Sequence, residues 1–174
     1  MKPMGIHYRV CKNDEDFIEY ALFFIHHRKD FSRLFSLSDA LMHVLETIGT
    51  SHIILVLDQM DNTIAWMNYR YVTHEYESHS EGEVAFVDSV IMKESQRSSR
   101  LFVNGFRHLV NYIDQENHHV RTFQFHALAD NVYLTRLYSK FADIIGQREG
   151  YHGTENIFSA DFSRLLQYLN RTQK

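Results

Sequence analysis

The stretch Asn131-Val-Tyr-Leu-Thr-Arg-Leu-Tyr138-Ser-Lys-Phe141 decides how the second half of this chain folds. Asparagine is a favoured residue at a helix N-cap, so Asn131 marks the start of a helix. The residues that follow repeat apolar side chains at helical spacing, which gives the helix one apolar face. The ten residues from His119 to Leu128 alternate instead, as a half-buried strand does. The pattern therefore predicts a strand followed at once by a short amphipathic helix.

The same two periodicities continue outward in both directions. Towards the N-terminus, a helix of about 18 residues starts at Ser98 or Ser99 and ends near Asn117. The complete prediction has the order β-α-α-β-β-β-α-β-α, followed by a strand and a last helix. The first half is predicted to contain a strand Gly5–Cys11, a helix over roughly 14–28, a second helix, a hairpin of His52–Leu57 and Thr63–Thr73, and a strand Glu83–Met92. The second helix is capped by Ser38 and Gly49, and its apolar face consists of Leu41, Met42, Val44, Leu45 and Ile48. The end of the chain is predicted to contain a strand near Ile144–Arg148, a turn Gly150–Gly153 and a helix bearing Phe162, Leu165, Leu166 and Leu169.

Composition indicates how these elements are organised. The chain has 174 residues, of which 44% are hydrophobic, enough for a sizeable core. It has one proline and seven glycines, and no Pro/Gly/Ser-rich stretch divides it. We therefore expect a single domain over residues 1–174, of mixed α/β class with helices on both faces of the sheet.

Charge and cysteine content exclude several partners. The net charge is −4 and no stretch is dense in Lys and Arg, so the sequence does not indicate nucleic-acid binding. No apolar run approaches the roughly 20 residues of a membrane helix, so we expect no membrane partner. Cys11 is the only cysteine, which agrees with a reducing, cytoplasmic location. The twelve histidines show no metal-ligand spacing, so we expect no metal.

The order of elements resembles the GNAT superfamily of acetyl-CoA-dependent N-acetyltransferases. The stretch from Asn131 to Tyr138 looks like the family's Asn-x6-Tyr helix. The resemblance implies that Asn131 contacts the pantetheine arm and that the Tyr138 hydroxyl protonates the departing CoA thiolate. A tyrosine with an ordinary pKa near 10 can donate that proton at neutral pH. The alternative is that the aromatic and leucine side chains of this helix are simply core.

A second resemblance lies in the segment from Val84 to Leu109. Its strand would pair with pantetheine through the backbone around Val90 and Ile91, and a backbone N–H near Ile91 would stabilise the oxyanion. The loop that follows would bind the CoA pyrophosphate through backbone N–H groups at a helix N-terminus. The two positions where the family has small residues are changed here, to Ser99 and Leu101. The resemblance assigns to that loop Gln96, Arg97, Ser98, Ser99 and Arg100, whose two arginines could pair with phosphate oxygens.

Acetyl transfer to an amine also requires a base that removes a proton from the ammonium form. Glu83 at the head of the central strand and Asp88 within it are the candidates. Asp88 is the more unusual, because a buried carboxylate between valines is costly unless it is paired. His126, on the strand before Asn131, could also serve as base or as a substrate ligand, although such a histidine is more often structural.

We therefore expect an acetyl-CoA-dependent N-acetyltransferase that transfers the acetyl group to a primary amine by direct attack. Two alternatives stay open. One is a GNAT-like binding or structural module that has lost CoA binding, which the residues at positions 99 and 101 favour; the other is an enzyme that uses a longer acyl-CoA. The acceptor is not identified by the sequence and includes small amines, aminoglycoside-like molecules, peptide N-termini and lysine. The hydrophobic tail from Phe158 to Leu169 makes a homodimer plausible.

Overall fold

Seven strands form one hydrogen-bonded sheet in the order β1-β2-β3-β4-β5-β7-β6. A computed structural model describes residues 5–31, 35–92, 99–150 and 153–171. Strands β4 and β5 are parallel, whereas the pairs β1–β2, β2–β3, β5–β7 and β6–β7 are antiparallel. The predicted fold class, α/β with a mixed and mostly antiparallel sheet, is confirmed. The strands are β1 His7–Val10, β2 His52–Leu57, β3 Thr63–Val72, β4 Val84–Met92, β5 Thr122–Leu128, β6 Asp143–Gly150 and β7 Gly153–Asp161.

The helices follow the predicted order, with one short helix added. The predicted long helix is confirmed as an 18-residue helix, and the predicted cap of the Tyr138 helix is correct because the Asn131 side chain accepts a hydrogen bond from the Leu134 N–H. The helices are α1 Asp14–His26, α2 Arg28–Phe31, α3 Leu37–Thr50, α4 Ser99–Glu116, α5 Val132–Tyr138 and α6 Phe162–Asn170.

The chain divides into two compact units, one formed by Met1–Tyr69 with Ser89–Arg97 and the other by Arg70–Asp88 with Ser98–Lys174. In the first unit, the aromatic residues of α1 pack on β3. Tyr20 meets Trp66 edge to face with ring centroids 4.9 Å apart, and Phe24 lies 5.6 Å from the same indole. Such pairs combine a large buried apolar area with favourable ring geometry. The prediction of a single domain over residues 1–174 stays a prediction.

Three details of the predicted second helix are wrong. Helix α3 begins after Ser36, not Ser38, because Ser36 and Asp39 cap each other's backbone N–H groups. Gly49 lies inside the helix and is not a left-handed cap. The predicted apolar face is also displaced: Met42 and Leu45 are more than two-thirds exposed, while Ala40 and Thr47 are buried with Val44. Apolar residues lie on most sides of this helix, so the sequence pattern does not identify the buried face. Packing against neighbouring elements determines which side is buried.

In the second unit, α4 and α6 contact each other, and α6 also contacts β5 and β7. An aromatic cluster fills this unit. Phe106 of α4 packs against Phe123 and Phe125 of β5, and the Phe125 ring stacks on Phe158 of β7 at 5.2 Å. Strand β7 is absent from the sequence prediction, which has only a turn and a helix after β6.

The final segment is buried within its own chain. Phe158 is fully buried in β7, and Phe162, Leu165 and Leu169 of α6 are at most 5% exposed. These are the side chains that suggested a homodimer in the sequence. The homodimer stays a prediction, without the apolar tail as its support.

Candidate active site

The candidate site is built where the parallel ladder between β4 and β5 ends. The ladder joins Val84–Val87 to Thr122–Phe125. Beyond it, β5 continues to Leu128 and remains paired with β7 on its other side, up to the pair Leu128–Glu155. Among the described residues, the backbone of 126–128 therefore has no strand partner on the β4 side. An unpaired strand edge offers N–H and C=O groups to an extended ligand.

Tyr138 lies on one face of β5 at this point. It is the last residue of α5, and its ring packs edge to face on Phe125 with centroids 4.7 Å apart. The side chain is buried, and this burial raises the pKa of the phenol well above its ordinary value. The hydroxyl is therefore protonated across the physiological range and can act as a proton donor. The residue is both a core side chain and a candidate acid, so the two alternatives of the sequence analysis coexist.

His126 lies on the opposite face of β5, because neighbouring residues of a strand point to opposite sides. Its Nδ1 atom is 2.7 Å from Oε2 of Glu155 on β7, and its Nε2 atom is 2.6 Å from Nη2 of Arg148 on β6. A carboxylate only accepts and a guanidinium only donates, so Nδ1 carries the proton and Nε2 has the lone pair. Burial, followed by the charge of Arg148, lowers the pKa of His126 against the opposing effects of Glu155 and Asp88. His126 is therefore a neutral imidazole oriented by a carboxylate, the arrangement of a general base.

Asp88 lies on β4 beside this histidine but is bound to another group. Its two oxygens accept hydrogen bonds from Nε and Nη2 of Arg70, at 2.8 and 3.1 Å. The pair is partly buried, and the Arg70 guanidinium lies 5.8 Å from the centre of the Phe86 ring. The carboxylate that seemed costly in the sequence is thus satisfied by a bidentate ion pair. Asp88 contributes negative charge near His126, and both of its oxygens are engaged by arginine.

Glu83 lies at the other end of the ladder. It precedes β4, and its carboxylate is 2.9 Å from Nε2 of His74 in an exposed pair. Asp88 is five positions further along this extended chain, which corresponds to about 16 Å. The two predicted bases therefore do not meet, and Asp88 is the one that lies beside His126.

The predicted cofactor residues have different surroundings. Ile91 is buried in the core of the first unit, so only its backbone could contact a ligand, while Val90 is half-buried. The Oδ1 atom of Asn131 is the cap of α5, so a contact with pantetheine would fall to its side-chain N–H groups. Arg100 is exposed in the first turn of α4. Gln96, Arg97, Ser98 and the Ser99 side chain lie outside the described residues, so the proposed pyrophosphate loop stays a prediction.

Sequence reasoning missed Arg70, Arg148 and Glu155, which hold the acidic and basic groups of the site in place. The alternation of β5 does predict that His126 and Phe125 face opposite sides. Nothing in the sequence pairs His126 with Glu155, because that contact depends on the antiparallel register of β5 and β7.

Two further properties concern the described part of the chain. No three or more His, Cys, Asp or Glu side chains there come together as a set that could bind a metal ion. No helix in that part is both long and apolar enough to cross a membrane.

Comparisons with known proteins identify the fold. No family model and no curated protein matches the sequence. Among solved structures, the chain is similar to NAA60 from Arabidopsis thaliana in complex with a bisubstrate analogue, with 16% identity, a TM-score of 0.67, and 90% of this chain and 99% of that chain covered. It is also similar to a spermidine N-acetyltransferase chimera from Vibrio cholerae and hSSAT, with 11% identity, a TM-score of 0.69, and 92% of this chain and 98% of that chain covered. A third similar structure is a ribosomal-protein alanine acetyltransferase from Vibrio fischeri, with 11% identity, a TM-score of 0.63, and 89% of this chain and 93% of that chain covered. The chain has the GNAT fold, and the resemblance is confirmed at that level.

Proposed function

We propose that this protein is an N-acetyltransferase that transfers the acetyl group of acetyl-CoA to a primary amine by direct attack. One observation carries the proposal. On a GNAT fold, a buried tyrosine and a neutral, carboxylate-oriented histidine lie on opposite faces of β5 at the residue where its ladder with β4 ends. Tyr138 packs on Phe125, and His126 is the next residue of the strand. Acyl transfer to an amine needs one base and one acid, and these two residues supply them.

Each group has a defined task in this mechanism. The Nε2 atom of His126 removes a proton from the ammonium form of the acceptor, directly or through a water molecule, so that the amine nitrogen becomes nucleophilic. Glu155 stabilises the imidazolium that forms, as the carboxylate of a catalytic triad does. The amine then forms the new C–N bond, the C–S bond breaks, and the Tyr138 hydroxyl gives its proton to the thiolate. The nitrogen loses its second proton to solvent as the amide forms, and solvent returns a proton to Tyr138.

The base in this proposal differs from the first candidates of the sequence analysis. Glu83 is exposed and paired with His74, and both oxygens of Asp88 are engaged by Arg70. Burial, followed by the charge of Arg148, lowers the pKa of His126, so its Nε2 holds a lone pair at neutral pH; in this structure that lone pair accepts a single hydrogen bond from Arg148. We therefore assign the base to His126 and the role of ion-pair partner to Asp88.

The fold does not determine the acceptor. The similar solved structures are named for acceptors as different as spermidine and an alanine of a ribosomal protein. Those acceptors share only an amine, so the proposal names the acceptor only as a primary amine. The cytoplasmic location and the cofactor residues of the loop before α4 belong to the proposal too.

A non-catalytic module is the second candidate function, and Leu101 favours it. In the family the corresponding position is small, and here the side chain is a half-buried leucine. A side chain at that place obstructs the close approach of phosphate to backbone N–H groups. The two candidates differ in whether the native protein binds acetyl-CoA at all.

Calorimetric titration with acetyl-CoA separates the two candidates. We expect micromolar binding by the wild type, with a matching rise in thermal stability. Absence of binding by the wild type, with binding restored in Leu101→Gly, would establish the module instead.

Amine-dependent release of CoA then tests the base. His126→Gln is expected to lower kcat/KM by about a hundredfold or more. The matched control Glu83→Gln removes the competing candidate and is expected to leave the rate nearly unchanged. Equal losses in both variants would contradict the assignment of His126.

A further inference from the structure

Arg148 lies over the base of the proposed reaction. Its Nη2 atom is 2.6 Å from Nε2 of His126, its Nε atom is 3.3 Å from Oε1 of Glu155, and its guanidinium carbon is 5.9 Å from the centre of the Phe86 ring. These three contacts hold the guanidinium against the imidazole nitrogen that must receive the proton. The side chain is 42% exposed, so it forms the solvent side of this cluster.

In this position, Arg148 blocks the chemistry of His126. The lone pair on Nε2 accepts a hydrogen bond from a guanidinium, which does not release its proton in proteins. The other charged groups that face the imidazole are Glu155, bound to Nδ1, and Asp88, which acts through its charge alone. The oxygens of Glu155 are engaged by His126 and Arg148, and both oxygens of Asp88 are engaged by Arg70. The base is therefore available only after Arg148 moves away.

The contacts that hold Arg148 are weak enough to be exchanged. Its ion pair with Glu155 is long and partly exposed, and such pairs contribute little to stability. Arg70, by contrast, is bound bidentately to Asp88 and is less exposed, so it stays in place. An incoming carboxylate would offer Arg148 a short, charge-assisted partner of the kind that guanidinium groups prefer. An acceptor without an anionic group offers nothing for this exchange.

We propose that Arg148 is a gate on His126, and that it opens for acceptors that carry a carboxylate beside the amine, as amino acids do. This inference rests on the proposed function and names the substrate class of the same site. The carboxylate of the acceptor binds the Arg148 guanidinium and draws it from Nε2. The same movement frees the lone pair next to the ammonium group that is to be deprotonated, so Arg148 determines specificity.

The kinetic test compares amino acids with their carboxamides, which keep the amine and remove the negative charge. Wild-type kcat/KM is expected to be about tenfold to a hundredfold higher for the acids, the range of one hydrogen bond to a charged group. Arg148→Ala is expected to lower kcat/KM for the acids, to leave or raise it for the amides, and so to remove the preference. Arg164→Ala, which removes an exposed arginine of α6, is the matched control and should keep the preference. Equal wild-type rates for acids and amides, or equal losses for both in Arg148→Ala, would overturn the gate.

A second readout does not depend on acetyl transfer. In NMR titrations of the histidine side chains, glycine should shift the His126 resonances of the wild type, while glycinamide should not. Arg148→Ala should abolish this response and raise the pKa of His126, because the cation that lowers it is gone. These shifts without any acetyl transfer would refute the proposed function and leave the gate standing. Acetyl transfer without these shifts would refute the gate alone.

Discussion

The substitution Tyr138→Phe separates the chemical role of this side chain from its packing role. The Tyr138 ring contacts Phe106, Phe125, Phe141 and Phe158 at centroid distances of 4.7 to 6.0 Å. Phenylalanine preserves these ring contacts, so the free energy of unfolding should change by less than about 1 kcal/mol. Truncation to alanine would instead cost about 3–5 kcal/mol, the range for a buried aromatic side chain.

The same substitution should have a large effect on the proposed reaction. Without the hydroxyl, the CoA thiolate loses its proton donor, and kcat should fall by about a hundredfold to ten-thousandfold. The wild-type pH profile should show no loss of activity from Tyr138 up to about pH 10, because burial raises the pKa of the phenol and keeps it protonated.

The assay is steady-state CoA release at saturating acetyl-CoA, with urea unfolding of each variant alongside. Tyr133→Phe is the matched control, since Tyr133 is an exposed residue of the same helix. It should leave both kcat and stability unchanged. A normal kcat in Tyr138→Phe, with normal stability, would refute the acid role and leave Tyr138 as a core residue.

Three further predictions concern stability and reactivity. Gly82→Ala should destabilise the protein by about 1–3 kcal/mol in urea unfolding, because the new Cβ would lie 2.5 Å from the Val72 carbonyl oxygen. Gly49→Ala, in an open position of α3, should instead stabilise the protein by about 0.5–1 kcal/mol. A Gly82→Ala variant more stable than the Gly49→Ala variant would contradict the packing argument. Burial raises the pKa of the Cys11 thiol to about 12, so at pH 8 a thiol reagent should react with it only as fast as the protein unfolds, and rapid labelling of the native protein would show that the site is open. The pKa of His126 is lowered in the folded state, so the unfolded chain binds more protons below about pH 6.5 and the free energy of unfolding should fall as the pH drops. His126→Gln should reduce the difference between the free energies of unfolding measured at pH 5 and pH 7.5. An unchanged difference would contradict the lowered pKa.

Local patterns in the sequence were sufficient for the Tyr138 helix and the strand before it. The cap at Asn131 and the 18-residue helix α4 involve only residues close together along the chain, so spacing and capping chemistry predict them well. The alternation of β5 likewise predicts that Phe125 and His126 face opposite sides. These local features, together with the order of elements, carried the resemblance to the GNAT fold.

Long-range pairing decided what the sequence could not. Strand β7 contains a polar residue, Asn156, on its buried face, and it is a strand because β5 and β6 pair with its two edges. The prediction therefore missed it.

The sequence by itself determined most of the helices and strands, though not β7 or the start of α3, and it determined which face of β5 carries the candidate base and that a helix capped by Asn131 carries the candidate acid. Only the tertiary structure joined His126 to Glu155 and Arg148, which lie 29 and 22 positions further along the chain. The physical reason is the strand order β5-β7-β6, which inserts β7 between β5 and β6. Periodicity fixes the side on which a residue lies, whereas its partners across a sheet depend on the register of strands that are distant in sequence.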